Sequence, residues 1–154
     1  MPRVKTTLLL AAACVGATVI AVNAGASGSG TRVLDLTGTV ITDHVTFDAA
    51  PKGMSPGDVG YVVGKVFRAG KPYGRYQGTC TQLPSSSSLC SFSLGLPDGQ
   101  LLIQSAYGPG FNTGSVAREA VVGGTGAYAG ARGQGIDREL TDTKLVFHLV
   151  LQPS

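Results

Sequence analysis

The 154-residue chain has no tryptophan and two histidines, and aromatic residues make up 6% of it. So few aromatic side chains give no platform on which sugar rings could stack. The sequence also lacks the Gly-x-Ser-x-Gly and His-Glu-x-x-His motifs, so hydrolases of those two types are not indicated. Its carboxylates are scattered singly, which gives no basis for proposing the paired acids of a glycosidase. We predict no metal site and no cofactor.

Charge is also sparse. Charged residues make up 14% of the chain and the net charge is +3. Arg3 and Lys5 lie at the very start, and no basic cluster interleaved with aromatic residues follows them. Nucleic acid is therefore excluded as an expected partner.

The first 26 residues have the layout of a secretory signal. The two basic residues precede an uncharged apolar run, Leu8–Val22, and small residues follow it. This three-part pattern is typical of a cleaved signal peptide. The apolar run is shorter than the roughly 20 residues that span a bilayer. We expect a signal over 1–26, cleaved within residues 24–26, and a secreted protein with no membrane segment.

The cysteine count depends on that cleavage. Cys14 leaves with the signal, the alternative being that it is lipidated, and Cys80 and Cys90 remain. They flank a segment with a proline and four serines, which is typical of a turn between two strands. An even cysteine count in an exported domain predicts a disulfide across this hairpin. Two unpaired thiols and a catalytic cysteine are the alternatives.

Beyond a flexible spacer at 27–31, residues 32–154 form a single predicted domain. No segment there has convincing helical periodicity, and short β-type segments alternate with turn residues. This spacing indicates an all-β antiparallel sandwich or barrel. The predicted strands are Arg32–Val40, Val59–Phe67, Gly74–Gln82, Leu89–Leu96, Gln100–Ala106, Glu119–Val122, Ala127–Gln134 and Lys144–Leu151.

A glycine-rich segment, Arg118–Gly135, contains a formal match to a dinucleotide-binding fingerprint, Gly124-x-Gly126-x-x-Ala129. That fingerprint works only where a helix follows the glycine turn. The residues after Ala129 would form a very poor helix because half of them are glycine. We therefore interpret these glycines as a hairpin and a bend within β-structure.

The same segment resembles a known family. Val121–Tyr128 followed by Ala131–Gly133 is similar to the signature of plant dirigent proteins, and allene oxide cyclases share a related pattern. Gly57–Gly60 and Gly74–Thr79 are similar to earlier strands of that superfamily. Overall, Arg32 to Leu151 resembles secreted bacterial proteins with an allene-oxide-cyclase-like barrel.

The resemblance implies an eight-stranded antiparallel β-barrel of the calycin type, with an apolar cavity and often assembled as a homodimer or homotrimer. In the plant relatives the cavity shapes an allene oxide that cyclises, or phenoxy radicals that couple, and neither reaction needs a cofactor. The implied function is binding of a small apolar or phenolic molecule, with isomerase or cyclase activity if the protein is an enzyme. A non-catalytic scaffold or interaction domain is one alternative. A dedicated cyclase of natural-product biosynthesis is the other.

Arg132 is the leading candidate site residue, because the resemblance implies that this arginine points towards the pocket. Asp43 is a candidate acid or base, and Tyr61, Tyr76 and Tyr128 are candidate ligand-binding residues. The alternatives are a structural ion pair for the arginine, a turn position for the aspartate and core packing for the tyrosines. The chain departs from some dirigent proteins after the glycine turn, where it has an alanine in place of an acid.

Overall fold

The computed structural model describes residues 30–109 and 113–152. The predicted signal over 1–26, Cys14 and most of the spacer over 27–31 lie outside these residues. The eight strands are β1 (Arg32–Phe47), β2 (Val59–Arg68), β3 (Lys71–Gln82), β4 (Ser88–Leu96), β5 (Gly99–Tyr107), β6 (Val116–Gly124), β7 (Gly133–Thr141) and β8 (Lys144–Leu151).

The strands form a closed antiparallel barrel in sequence order, since β1 pairs with β2 on one side and with β8 on the other. The long β1 has register shifts between Val40 and Thr42 and between Val45 and Phe47. Such bulges bend a strand and increase its twist, which helps a sheet to close. The all-β, eight-stranded antiparallel prediction is confirmed. Within the described ranges, no helix is long and apolar enough to cross a membrane.

One predicted strand, Ala127–Gln134, is wrong. Its first two residues belong to a 3-10 turn, Gly126–Tyr128, and the strand that follows, β7, begins at Gly133 and continues to Thr141. Gly126 and Gly130 have positive φ angles of 61° and 75°. A strand cannot pass through such dihedrals, and glycine adopts them readily. The glycine-rich segment therefore turns the chain twice before β7 begins.

Large apolar side chains fill one end of the barrel, which we call the closed end. It lies where β1 begins and β8 finishes. Inward-facing residues there are almost entirely withdrawn from solvent, as expected for a small barrel filled by side chains. They include Leu34, Leu36, Leu94, Leu101, Leu149 and Leu151. The opposite end, where β1 finishes and β8 begins, is the open end.

The 3-10 turn covers the closed end with Tyr128, which is 2% exposed. The Arg32 guanidinium lies 4.7 Å from the centre of the Tyr128 ring and donates a 3.2 Å hydrogen bond to its hydroxyl. Arg32 also forms an ion pair of 3.9 Å with Asp98. Burial is the main reason that the pKa of Tyr128 rises to about 12. The aromatic residue of the dirigent-like motif, Tyr128, therefore fills the closed end of the barrel.

Glycines in the barrel wall make room for aromatic rings in its interior. A Cβ atom at Gly64 would overlap the ring of Tyr76, and one at Gly78 would overlap the ring of Phe92. These glycines are therefore required by close approach. They allow both rings to lie against the inner wall.

The predicted disulfide is confirmed. Cys80 and Cys90 are direct partners in the register of β3 and β4, and their sulfurs are bonded with the Cα atoms 4.1 Å apart. The intervening segment turns through a 3-10 helix, Pro84–Ser86. Closing a loop of this size stabilises the fold by about 2–3 kcal/mol.

Adjacent glycines test whether the glycine-rich segment is barrel geometry. A Cβ atom at Gly124 would lie 2.6 Å from the Gln100 carbonyl oxygen and closer still to that of Tyr128. At Gly123 the nearest atoms would be 3.8 Å away. Gly124→Ala should therefore lower the free energy of unfolding by about 1–3 kcal/mol, while Gly123→Ala should change it by less than about 0.5 kcal/mol. Urea unfolding of both variants measures this, and equal effects would contradict the interpretation.

Candidate functional site

The barrel interior becomes polar towards the open end. On β5, β6 and β7 every second residue faces inward, because side chains alternate along a strand. Ser105, Glu119 and Asp137 occupy inward positions and are 3%, 4% and 2% exposed. Arg118 and Arg138, at neighbouring outward positions, are exposed. Two carboxyl groups, Glu119 and Asp137, are thus placed inside the barrel, and we call them the acid pair.

Hydroxyl groups on β5 bind both members of the acid pair. The Tyr107 hydroxyl donates a 2.5 Å hydrogen bond to Asp137 Oδ2, reaching past β6 to β7. Ser105 Oγ donates a longer one, 3.4 Å, to Glu119 Oε1. The β6 residue in register with Asp137 is Ala117. Its small side chain leaves room for the tyrosine to reach across.

Each member of the acid pair keeps one oxygen without a partner. In the part of the chain that the structure describes, three buried polar side-chain atoms have no hydrogen bond: Glu119 Oε2, Asp137 Oδ1 and the Tyr76 hydroxyl. A buried polar atom in this state costs about 1–3 kcal/mol. Native proteins retain few such groups, and a functional role is one of the explanations. Asp137 Oδ1 and the Tyr76 hydroxyl belong to residues that line an interior cavity, where a bound molecule could contact them.

A cavity of about 210 Å³ lies beside these groups. Its apolar wall is formed by Val40, Val62, Phe92 and Leu145. Its polar wall is formed by Tyr76, Tyr107, Asp137 and Glu139, with Asp43, Thr141, Asp142 and Lys144 at the mouth. The mouth residues are exposed, so the cavity opens to solvent. Pockets for drug-sized ligands measure about 300–1,000 Å³, so this cavity suits a smaller molecule.

Withdrawal from water controls the protonation of the acid pair. Burial and, to a smaller extent, the nearby charge of Asp137 raise the pKa of Glu119 to about 8, although the Ser105 hydrogen bond lowers it. Burial also raises the pKa of Asp137, against the hydrogen bond from Tyr107. Glu119 therefore retains its proton at neutral pH. A carboxyl group that titrates near neutrality can both give and take a proton.

Burial affects the pKa values of Glu139, Tyr76 and Tyr107 in the same direction. It raises the pKa of Glu139, with the charges of Asp142 and Asp137 adding to the effect. It also raises the pKa values of Tyr76 and Tyr107, so both phenols stay protonated and can donate hydrogen bonds.

The predicted site residues are divided between two ends and two faces of the barrel. Asp43 and Tyr76 both line the cavity. Tyr61 lies on the opposite face of β2 from Val62, with its ring 6.1 Å from that of His44. Tyr128 plugs the closed end. Arg132 is exposed there and donates a 2.8 Å hydrogen bond to the preceding carbonyl oxygen of Ala131.

The sequence did not reveal the acid pair or Tyr107. These carboxylates are scattered in the sequence, but the register of β6 and β7 brings them together. The sequence pattern that could have indicated these acids is the alternation of the segments that contain them, such as Ala117-x-Glu119-x-Val121. Alternation alone does not say which face is buried. Among the residues with described positions, no group of three or more acids, histidines or cysteines is arranged to hold a metal ion.

Solved structures with similar folds place this barrel in context. Pyocyanin demethylase superposes with a TM-score of 0.69 at 22% identity, covering 79% of this chain and 100% of its own. The pterocarpan synthase dirigent protein PsPTS1 superposes with a TM-score of 0.65 at 17% identity, and the match covers 80% of this chain and 96% of that one. A second pterocarpan synthase dirigent protein, GePTS1, superposes with a TM-score of 0.61 at 18% identity, and the match covers 81% of this chain and 92% of that one. The fold is that of a dirigent-like barrel.

No protein-family model and no curated protein sequence matches the chain significantly. At these identities the structural likeness concerns the fold alone. Function must therefore be argued from the residues in this barrel's own cavity.

Larger hollows occur on the barrel's surface, but they lack the chemistry of the interior. One of these, about 520 Å³, is a surface groove lined by residues of β2 to β6, among them the exposed Thr79, Ser91 and Gln104. None of the three unpartnered buried atoms belongs to a residue that lines it. The smaller interior cavity is the better candidate site.

Glu119→Gln tests the protonation of the site through stability. Between the ordinary pKa of 4.5 and the folded value of about 8, the unfolded chain loses a proton that the folded chain keeps. Wild-type stability therefore falls as pH rises through this window. A glutamine at position 119 does not titrate, so it contributes no such pH dependence to the stability of the variant. The variant should be more stable than wild type by on the order of 2 kcal/mol near pH 8, and by much less near pH 5.

Urea unfolding at both pH values measures the difference. Asp48→Asn, at an exposed acid, is the matched control and should shift stability by less than about 0.5 kcal/mol at either pH. A Glu119→Gln effect that is equal at the two pH values would show that this carboxyl group titrates normally.

Proposed function

We propose that the barrel binds a small apolar or phenolic molecule in its interior cavity and steers the cyclisation of that molecule by proton transfer. The observation that carries this proposal is the unpartnered, buried Asp137 oxygen on the cavity wall, next to Glu119. An apolar wall with a few convergent polar groups is typical of small-molecule sites.

The acid pair suits proton-transfer chemistry because its members interact. Two neighbouring buried carboxyl groups do not ionise independently, and the pair holds on to a proton that an exposed acid would lose. Asp137 lines the cavity and would exchange the proton with the ligand. Glu119 lies one layer deeper and would tune the charge of Asp137, since the two are electrostatically coupled. Tyr107 would hold Asp137 in position.

Cyclisation suits this interior better than radical coupling. A cyclisation that conserves oxidation state needs a shaped cavity and a proton donor or acceptor, and the barrel has both. Coupling of phenols needs an oxidant to form the radicals, so this chain would only orient radicals that another agent had made. The proposed reaction class is accordingly that of an isomerase or cyclase.

A non-catalytic scaffold is the second candidate function, and the filled closed end favours it. There the core is packed with leucine side chains, as a stable scaffold requires. The two candidates differ in what the open end does. A scaffold would have no use for the unpartnered polar atoms that line it.

We also propose that the protein acts outside the cytoplasm, as the signal pattern over 1–26 predicts. The Cys80–Cys90 disulfide supports this location, because disulfides persist in oxidising compartments. Assembly into dimers or trimers remains part of the proposal, supported by the resemblance to dirigent-like barrels.

Filling the cavity tests whether the interior binds ligands. Val62→Phe adds a ring to a residue that lines the cavity, whereas Val63→Phe adds the same ring to the opposite face of β2. With monocyclic and bicyclic phenols and hydrocarbons as probes, calorimetric titration should detect binding to wild type and to Val63→Phe. Val62→Phe should weaken it by about tenfold or more, since overpacked ligand and protein atoms clash.

Thermal melting of both variants checks that each one folds. If no probe bound to the wild-type protein, the scaffold function would be preferred. If Val62→Phe bound the probes as well as Val63→Phe did, the ligand would lie elsewhere.

A further inference from the structure

We infer that the ligand of the interior cavity is an organic cation, a small apolar or aromatic molecule that carries positive charge on nitrogen. The inference rests on the proposed function, because it assumes that the cavity binds a small molecule. It names the charge of that molecule, which neither the fold nor the apolar lining specifies.

The charged groups that face the cavity are predominantly acids. Strands β1 and β7 and the turn after β7 contribute the carboxyl groups, and β8 contributes one lysine. Strands β3 and β5 contribute phenols, while the lining residues of β2 and β4 do not ionise. The acids that line the cavity are Asp43, Asp137, Glu139 and Asp142, and Glu119 lies one layer deeper beside Asp137. The other titratable groups are Tyr76, Tyr107 and Lys144.

Among the described residues, these acids have no cationic partner. In the described ranges, the ion pairs join Arg32 to Asp98 at the closed end and His148 to Asp35 on the outer face. Neither pair includes an acid of the cavity. Lys144 is at the exposed mouth and is not ion-paired to any of them. Buried acids are normally compensated by a nearby positive charge, and here a ligand is the group that could supply it.

Aromatic rings form a second, independent signature of a cation site. Tyr76, Phe92 and Tyr107 all line the cavity. Phe92 and Tyr107 pack edge to face with centroids 6.3 Å apart, and Tyr76 packs in the same way against Phe147 at 5.8 Å. Ring faces attract cations through their quadrupole, and aromatic cages bind quaternary ammonium groups in this way. Anionic ligands gain nothing from such surfaces.

Two buried, unpartnered oxygen atoms point to the same chemistry. Asp137 Oδ1 and the Tyr76 hydroxyl both belong to residues that line the cavity, and both residues are 2% exposed. An organic cation fits better than a metal ion, because aliphatic and aromatic side chains form much of the wall. The carboxylates in the described part of the chain are also not grouped as metal ligands.

Binding of a cation should be linked to proton release. A positive charge beside the acid pair favours its ionised form, so the pair gives up a proton when the ligand enters. The affinity for a permanently charged cation should therefore rise with pH up to the pKa of Glu119, about 8. Above that pH it should level off.

Probes of equal shape and different charge test the inference on the wild-type protein. Phenyltrimethylammonium and tert-butylbenzene differ in one atom, nitrogen for carbon, and benzoate supplies an anion. Calorimetric titration should give an affinity at least about tenfold higher for the ammonium than for the hydrocarbon. Benzoate should bind more weakly than either. Titrations in buffers of different ionisation enthalpy should show proton release with the ammonium alone.

Variants of opposite effect supply the controls. Asp137→Asn keeps the shape and should lower the affinity for the ammonium by about tenfold, with the affinity for tert-butylbenzene within about twofold of wild type. Lys144→Gln, at the exposed mouth, should raise the affinity for the ammonium by about twofold. Glu119→Gln should flatten its pH dependence.

The outcomes separate this inference from the proposed function. If tert-butylbenzene bound as tightly as phenyltrimethylammonium, the cavity would bind ligands without selecting a cation, and the inference would be overturned while the proposed function stood. If none of the probes bound, both would fail. Should Asp137→Asn not fold, the comparison of probes on the wild-type protein and on Lys144→Gln still decides the question.

Discussion

Carboxyl groups inside a closed barrel are separated from water by a wall of paired strands, and in the described part of the chain no cationic side chain forms an ion pair with them. This desolvation is the constraint on which the rest of the site depends. It keeps a proton on Glu119 at neutral pH, and it makes the unpartnered oxygen of Asp137 a strong hydrogen-bonding group for whatever enters. Desolvation costs stability, and a ligand that satisfied these groups would recover part of that cost.

The closed end supplies the rigidity that such a site requires. The glycine-rich segment turns the chain at Gly126 and Gly130 and places Tyr128 over the packed leucines. With one end sealed, the interior is accessible from the other. The disulfide joins β3 and β4, the strands that carry Tyr76 and Phe92, near that open end. The packed closed end and the disulfide thus make the barrel rigid around a small polar cavity. Reacting groups need such rigid support to be placed precisely.

The sequence predicted the fold well because turns and alternation are local properties. The proline- and serine-rich segment between Cys80 and Cys90 marks a turn, and short β-type segments bounded by turn residues mark strands, without reference to the rest of the chain. The site was harder to predict. Glu119 and Asp137 meet only through the pairing of β6 with β7, and a strand's period does not tell which of its faces closes onto the interior. The strand after the glycine turn was misplaced because Tyr128 was expected to lie within it, whereas burial of its ring at the closed end requires a turn.

Direct titration of the Glu119 carboxyl group tests the central claim most simply. With the side-chain carboxyl carbons labelled with carbon-13, its resonance can be followed by NMR across the pH range and assigned with Glu119→Gln. We expect a midpoint near pH 8, because the group is buried beside Asp137. A midpoint near the ordinary value of 4.5 would show that the group is hydrated or paired, and would contradict a desolvated acid pair inside the barrel.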